Sequence, residues 1–288
     1  MIRKIVKQVT PPFLIDIARL LRYKLSLSPF YGVCGNFASW QEALDYCEKY
    51  NHGKGYESVN ILDKVTQAIQ EVRIGNAEFE RDSFLFYEKD YNYPLLSALF
   101  LAFNGIDNSR PVQVVDFGGS LGSTFFQNRS LFASMIQPVV WNVIEQKHFV
   151  DIGKKEVPEI NFFYDIEELK MSSGGECFDL LLLSAVIDYI PYPEVFADLL
   201  EYPWKYILID RSFYHPEDKE IIGIQTVPPS IYDAQYPLWL RSESKQNYMM
   251  TSKGFVEVMR WNSPFSMPYL NDSGYTSIPL RGFLYKRQ

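Results

Sequence analysis

The chain has 288 residues, 47% hydrophobic and 16% aromatic, enough apolar side chain for one large domain or a domain with a cap and too much for a disordered chain. Its net charge of −7 argues against nucleic-acid binding through phosphate contacts, and no apolar run approaches the ~20 residues that span a bilayer. Three cysteines, Cys34, Cys47 and Cys177, lack metal-type spacing, so no disulfide framework or zinc site is expected and a reducing, cytoplasmic compartment fits.

Residues 1–27 carry six basic side chains against one acid, Asp16. The apolar start is too short for a secretory signal. After Pro11 and Pro12 the run F-L-I-D-I-A-R-L-L-R-Y-K-L reads as a basic amphipathic helix, suited either to a peripheral membrane contact or to packing on the domain or a second subunit. Residues 30–36 read as a loop. Ser39 caps a helix through W-Q-E-A-L-D-Y-C-E-K-Y, and residues 58–74 form a second helix with Val59, Leu62, Val65, Ile69 and Val72 on one face. A third helix spans 94–103. Residues 28–104 are therefore expected to form a helical cap over a domain at 105–288, with Arg81 and Asp82 as an internal ion pair.

The second half alternates as a parallel sheet does. Strands are expected at 113–117, 139–145, 161–164, 178–184 and 206–210, with helices at 125–135, 148–154 and 192–201 between them. The fourth, F-D-L-L-L-L-S, is apolar throughout, as a strand covered on both faces should be. Two more strands follow at 255–261 and 282–286, flanking a loop rich in Pro, Ser, Asn and Asp. The class is α/β, with a Rossmann-like sheet.

Ligands in such sheets lie at the carboxyl ends of the strands. The first strand ends in Asp116 and a turn containing Gly118, Gly119, Ser120 and Gly122. The turn leaves free N–H groups at a helix start. The second ends in Glu145, followed by Gln146, where a carboxylate can accept both hydroxyls of a ribose. The third ends at Asp165, placed to meet an adenine amino group, and the fourth at Ser184 and Ala185, small enough for a ring to lie flat. Together they describe an adenine-nucleoside pocket. An acid directly before the turn opposes a pyrophosphate and suits a cationic ligand with an amino-acid tail.

The stretch V-V-D-F-G-G-S-L-G, with V-I-E at the next strand end, resembles the first motifs of class I S-adenosylmethionine-dependent methyltransferases. With G-N-F-A-S-W-Q-E-A, E-R-D-S-F, L-I-D-R-S-F and I-Q-T-V-P-P-S-I-Y, the chain from about residue 30 resembles a methyltransferase family that occurs with bacterial surface-polysaccharide biosynthesis. That resemblance implies a seven-stranded sheet whose last strand lies antiparallel beside the fifth, S-adenosylmethionine as cofactor, and O-methylation of a sugar or glycan acceptor. Two other readings stay open: a nicotinamide-dependent oxidoreductase or epimerase, and a non-catalytic nucleoside-binding protein acting in assembly.

A sugar hydroxyl needs a base, and the candidates beyond the fourth and fifth strands are Asp188 and His215. Each reads equally as a structural residue, Asp188 as a helix-cap acid and His215 as a solvated loop histidine. Arg211 suits a carboxylate or phosphate on the acceptor, or a salt bridge to the cap. Tyr87, Tyr91 and Tyr189 could stack on a sugar, and the resemblance implies that Gln225 and Tyr232 sit in a lid over it. The three histidines are too scattered to suggest a metal.

Overall fold

The computed structural model describes residues 21, 24–25, 30–50, 59–107, 109–173, 178–228, 234–271 and 274–288. The basic amphipathic segment expected at 1–27 lies outside them, apart from Leu21, Lys24 and Leu25. In chain order the elements are β1 (Gly32–Phe37), α1 (Trp40–Tyr50), α2 (Val59–Arg73), β2 (Phe79–Arg81), β3 (Phe84–Phe86) and α3 (Tyr93–Asn104). There follow β4 (Val112–Phe117), α4 (Ser123–Phe132), β5 (Val139–Ile144), α5 (Lys147–Glu156), β6 (Asn161–Phe163), α6 (Ile166–Ser172) and β7 (Leu180–Ser184). After a 3₁₀ turn at Ile187–Tyr189 come α7 (Glu194–Leu200), β8 (Tyr206–Phe213), β9 (Ile221–Thr226), β10 (Gln235–Leu240), α8 (Glu243–Ser252), β11 (Phe255–Asn271) and β12 (Gly274–Arg287).

Ten strands form one sheet in the order β10-β9-β1-β11-β12-β8-β7-β4-β5-β6. From β6 to β8 every pairing is parallel, and β12 lies antiparallel to β8. The seven strands from β6 to β11 thus have the class I methyltransferase arrangement, an α/β Rossmann-like sheet with the last strand inserted beside the fifth. Strand order reverses between β4 and β7, which opens a crevice at their carboxyl ends.

Periodicity explains the layers. Leu180 and Leu182 face one side of β7 and Leu181 and Leu183 the other, all four with no exposure. The first face packs on α2 to α5 through Ile69, Leu99, Phe126 and Phe149, the second on α6 to α8 through Leu169, Phe196 and Met250. Each such leucine contributes roughly 1.5–3 kcal/mol by leaving water.

Three expectations are corrected. Residues 28–104 are not a separate helical cap: β1, expected as a loop, pairs parallel with β11 at Val33 and Tyr269 and antiparallel with β9. Its partners are remote in sequence, so no local pattern announces it. The expected loop between the two tail strands is instead a long hairpin, β11 with β12, whose outer edge β1 covers. Gln225, expected in a lid, lies within β9, and β10 pairs with that strand at the sheet edge. Tyr232 lies outside the described residues.

Close approach of two strands sets one further detail. Trp261 of β11 lies opposite Gly282 of β12, and its indole crosses that glycine to donate from Nε1 to Asp210 Oδ1 of β8 at 3.3 Å. A Cβ on Gly282 would sit 2.1 Å from the indole ring. Gly282→Ala is expected to displace the indole, break that bond and destabilise the protein by about 1–3 kcal/mol. Urea unfolding followed by tryptophan fluorescence checks this.

Candidate active site

The β4 turn is built by its glycines. Gly118 and Gly122 have φ of +71° and +93°, in the left-handed region, and Gly122 precedes the first residue of α4. A side chain on Gly119 would place its Cβ 2.6 Å from the Asp116 carboxyl carbon. The turn therefore closes down over that carboxylate. Asp116 is 1% exposed, and its Oδ2 accepts a 3.1 Å hydrogen bond from Trp141 Nε1 of β5. Burial pushes its pKa up to about 7. The Trp141 bond opposes that rise, the nearby Glu145 charge adds to it, and Arg211 opposes it.

Glu145 stands across the turn at the end of β5. Its two oxygens accept from the backbone N–H of Gln146 (2.9 Å) and of Ser120 (3.3 Å). Burial raises its pKa, and those two donors oppose the rise. Gln146 directly precedes α5, makes no side-chain capping bond and is exposed. Asp165 is also exposed and caps α6, its Oδ1 accepting from Glu168 N–H at 2.8 Å. On the other side, the Ala185 N–H donates to the Asp210 carbonyl at 2.9 Å, and Val186 abuts Gly118. The structure so brings Asp116, the turn and Glu145 together, with Ser184 and Ala185 on the next strand.

The acceptor candidates divide. Tyr189 and Gln225 meet, the tyrosine hydroxyl donating to Gln225 Oε1 at 2.8 Å, and Tyr236 packs edge-on against Tyr189. Arg211 reaches the same side of the sheet, donating from Nη2 to Ser184 Oγ at 3.1 Å. Tyr91 turns outward along α4, within 3.4 Å of Ser130 Oγ, and Tyr87 is 70% exposed.

Both candidate bases are engaged by other groups. Asp188 has no exposure; it is ion-paired to the equally buried Arg241 at 2.8 Å and accepts from Phe213 N–H at 3.3 Å. Burial raises its pKa against the pull of Arg241. His215 lies two residues past the end of β8 and is 6% exposed. Its Nδ1 accepts from Glu217 N–H at 3.1 Å, its ring meets Tyr269, and burial lowers its pKa.

Several residues at the site carried no sequence signal. Asp210, within β8, accepts from Asn92 Nδ2 (3.1 Å), Ser184 Oγ (3.3 Å) and Trp261 Nε1. Asn92 also caps α3 through its other side-chain atom, accepting from Leu95 N–H. The β2–β3 hairpin packs on α4: its Glu80, 1% exposed, accepts from Ser123 Oγ and from Ser83 N–H. Burial raises the Glu80 pKa to about 7. Only the non-local contacts show these roles; the aspartate that follows a buried apolar run, I-L-I-D, was the one available hint. Among the described residues no group of three or more His, Cys, Asp or Glu side chains is placed to hold a metal.

No family model matches the chain, and no curated protein matches it. Among solved structures it is similar to the N-terminal domain of EvdMO1 with SAH bound (10% identity, TM-score 0.45, 78% of this chain and 97% of that one). It is similar to the glycopeptide N-methyltransferase MtfA complexed with S-adenosylmethionine (13%, 0.45, 68% and 94%). A third is magnesium protoporphyrin IX methyltransferase from Synechocystis PCC 6803 with bound SAH (12%, 0.42, 86% and 100%). The fold rests on the strand order itself, and the chemistry on the residues of the site.

Proposed function

We propose that this chain is an S-adenosylmethionine-dependent methyltransferase acting on the hydroxyl of a sugar or glycan intermediate. The observation that carries the reading is the buried Asp116 carboxylate beneath the glycine turn, with Glu145 facing it across the turn. A carboxylate there repels a pyrophosphate and attracts a cation, which disfavours a dinucleotide and favours a ligand bearing an ammonium group. In this reading Asp116 binds the ammonium of the amino-acid tail, which lies against the turn of Gly118, Gly119, Ser120 and Gly122. Glu145 and Gln146 take the ribose, Asp165 the adenine amino group, and Ser184 and Ala185 the face beside the ring. When bound, the cofactor supplies an electrophilic methyl group on a sulfonium.

The chain's own part is positioning. Tyr189, Gln225 and Tyr236 form a wall suited to a sugar ring, and Arg211 lies beside them. Holding the acceptor oxygen in line with the methyl can by itself supply a large part of such a displacement. Asp188 is held by Arg241 and His215 by the Glu217 N–H, while Asp210 keeps Ser184, Asn92, Trp261 and Arg211 in register and acts as a positioning residue. The link to surface-polysaccharide synthesis rests on the sequence resemblance, and residues 1–27 remain a proposed peripheral membrane contact. Among the described residues no helix is long and apolar enough to cross a membrane.

Calorimetric titration of S-adenosylhomocysteine tests the reading. Micromolar binding is expected, weakened at least ~10-fold by Glu145→Ala, since a hydrogen bond to a charged group is worth about 1.5–3 kcal/mol. No binding to the wild type, or binding of NAD instead, would overturn it.

A further inference from the structure

We propose that Glu80 of the β2–β3 hairpin is a positioning residue for the cofactor turn: through the Ser123 hydroxyl it fixes the start of α4 and the backbone donors there. This rests on the reading that the turn from Gly118 to Gly122 holds the cofactor.

α4 begins without a cap of its own. The residue before it, Gly122, has no side chain, and the helix start carries no side-chain capping bond. The first N–H groups of a helix have no partner within it, so their direction depends on what holds the turn. Ser120 has φ of +53°, and a non-glycine residue stays in that region only when its surroundings fix it. The first half of the turn is fixed from two sides. Asp116 lies beneath Gly119, and Glu145 accepts from Ser120 N–H. Glu80 fixes the far end: its Oε1 accepts from Oγ of Ser123, the first residue of α4.

Glu80 is 1% exposed, and a buried carboxylate is costly unless it is hydrogen-bonded. Its two oxygens are divided. One takes Ser123 Oγ, and the other takes Ser83 N–H at 3.0 Å, in the hairpin's own turn. The carboxylate thus joins the hairpin tip to the helix start. Asp82 and Ser83 form that tip with positive φ at both, which carries Asp82 away from Arg81, and the ion pair expected between those neighbours is absent. Packing alone needs no carboxylate here. Phe79, 2% exposed, already docks the hairpin, with its ring stacked on Phe86 at 4.5 Å.

The chain beyond the hairpin follows the same helix. Gln127 Nε2 donates to the Asp90 carbonyl at 2.5 Å, and the Tyr91 and Ser130 hydroxyls lie 3.4 Å apart. Ser123, Gln127 and Ser130 stand at i, i+4 and i+7, on one face of α4. The chain from Glu80 to Tyr91 therefore meets α4 at three successive turns, and Asn92 follows with its bond to Asp210. A hairpin of two three-residue strands is not stable by itself, so its place depends on these bonds. A docked hairpin orders the cofactor turn. By linkage, a cofactor that orders the turn holds the hairpin down in return.

Titration of S-adenosylhomocysteine into the full chain, with hydrogen exchange measured alongside, tests this role. Glu80→Ala and Ser123→Ala should each weaken binding about fivefold, the scale of one hydrogen bond. The double variant should bind no more weakly than Glu80→Ala alone, since the two side chains act as one pair. Glu80→Gln keeps an oxygen that can accept from Ser123 Oγ and should bind within twofold of wild type. Gln127→Ala breaks the strap one turn further from the cofactor and should also stay within twofold. A residue that only stabilised the fold would lower the melting temperature and leave the affinity of the folded protein unchanged. Ser123→Ala puts a good helix former at a helical position, which keeps the test independent of folding. The proposal is overturned if Ser123→Ala binds as wild type does, if Glu80→Gln is as weak as Glu80→Ala, or if the two single losses multiply in the double variant. If the wild type binds no S-adenosylhomocysteine, the methyltransferase reading falls and exchange in the ligand-free protein decides. Faster exchange at residues 119–126 in Glu80→Ala then upholds the hold of Glu80 on the turn, and unchanged exchange overturns it.

Discussion

Asp116→Asn should give a protein that is more stable than wild type at pH 8 and binds S-adenosylhomocysteine at least ~10-fold more weakly. The carboxylate is buried under the glycine turn, and its pKa is raised to about 7 from 3.8. A raised carboxyl pKa means that the folded state holds the proton more tightly than the unfolded chain. Stability therefore falls as pH rises from about 4 to 7, and the full penalty is present above pH 7. At about 1.4 kcal/mol per unit the penalty is about 4 kcal/mol. Asparagine removes the charge and can still accept from Trp141 Nε1, so the gain should be largest at pH 8 and fade toward pH 4. Ligand affinity moves the other way: in wild type it should rise with pH up to about 7 and then level off, as the carboxylate becomes available to an ammonium. Chemical denaturation and calorimetry at pH 5.5, 7 and 8.5 would check both trends. A variant less stable at pH 8, with wild-type affinity, would remove Asp116 from the binding site.

Asp188→Ala should be the most destabilising single change in the chain, by about 3–5 kcal/mol, because it leaves Arg241 charged and unpaired in the interior. Arg241 has no exposure; its fork also reaches Gln246 and, at 3.0 Å, the Tyr214 hydroxyl. The network continues to Tyr285, whose hydroxyl accepts from Gln246 Nε2 at 2.9 Å. Asp188 thus ties the turn after β7 to the start of α8 and the end of β12. The double variant Asp188→Leu with Arg241→Met removes both charges and should recover most of the lost stability. Urea unfolding measures each step. S-adenosylhomocysteine affinity of the folded Asp188→Ala protein should stay within twofold of wild type. If Asp188→Ala unfolds like wild type, the side chain is not the interior anchor that the geometry describes, and its role as the acceptor's base is restored.

The features legible in the chain were the local ones. The apolar runs at β4, β5, β7 and β8 and the glycines after Asp116 are written in consecutive residues. Their order is enough to place Asp116 and Glu145 on adjacent strands, since parallel strands joined by helices can pack in few ways. α2 and α3 were equally clear, because their apolar residues recur with the helical period. α6 and α8 were not: α6 has seven residues and α8 buries only Gln246 and Met250, so neither has an apolar stripe to read. Their visible signs were the caps Asp165 and Ser242, each accepting from the N–H three residues on.

Everything that depends on residues far apart in the chain came from the tertiary structure. β1 is a strand because β9 and β11 supply its hydrogen-bond partners, and its own residues show no strand alternation. Asp188 looked like a base beside a cofactor because it follows the fourth strand, yet which way a side chain points after a turn depends on what packs behind it, here Arg241. Arg81 and Asp82 are neighbours that never pair, since the turn between β2 and β3 sends them apart. Arg211 reaches Ser184 only because β12 shifts register beside it. Strand type and cofactor-side acids follow from local pattern and chain order. The bulge that aims Arg211 and the buried pair that anchors Asp188 each need a partner more than 50 residues away, which no local pattern encodes.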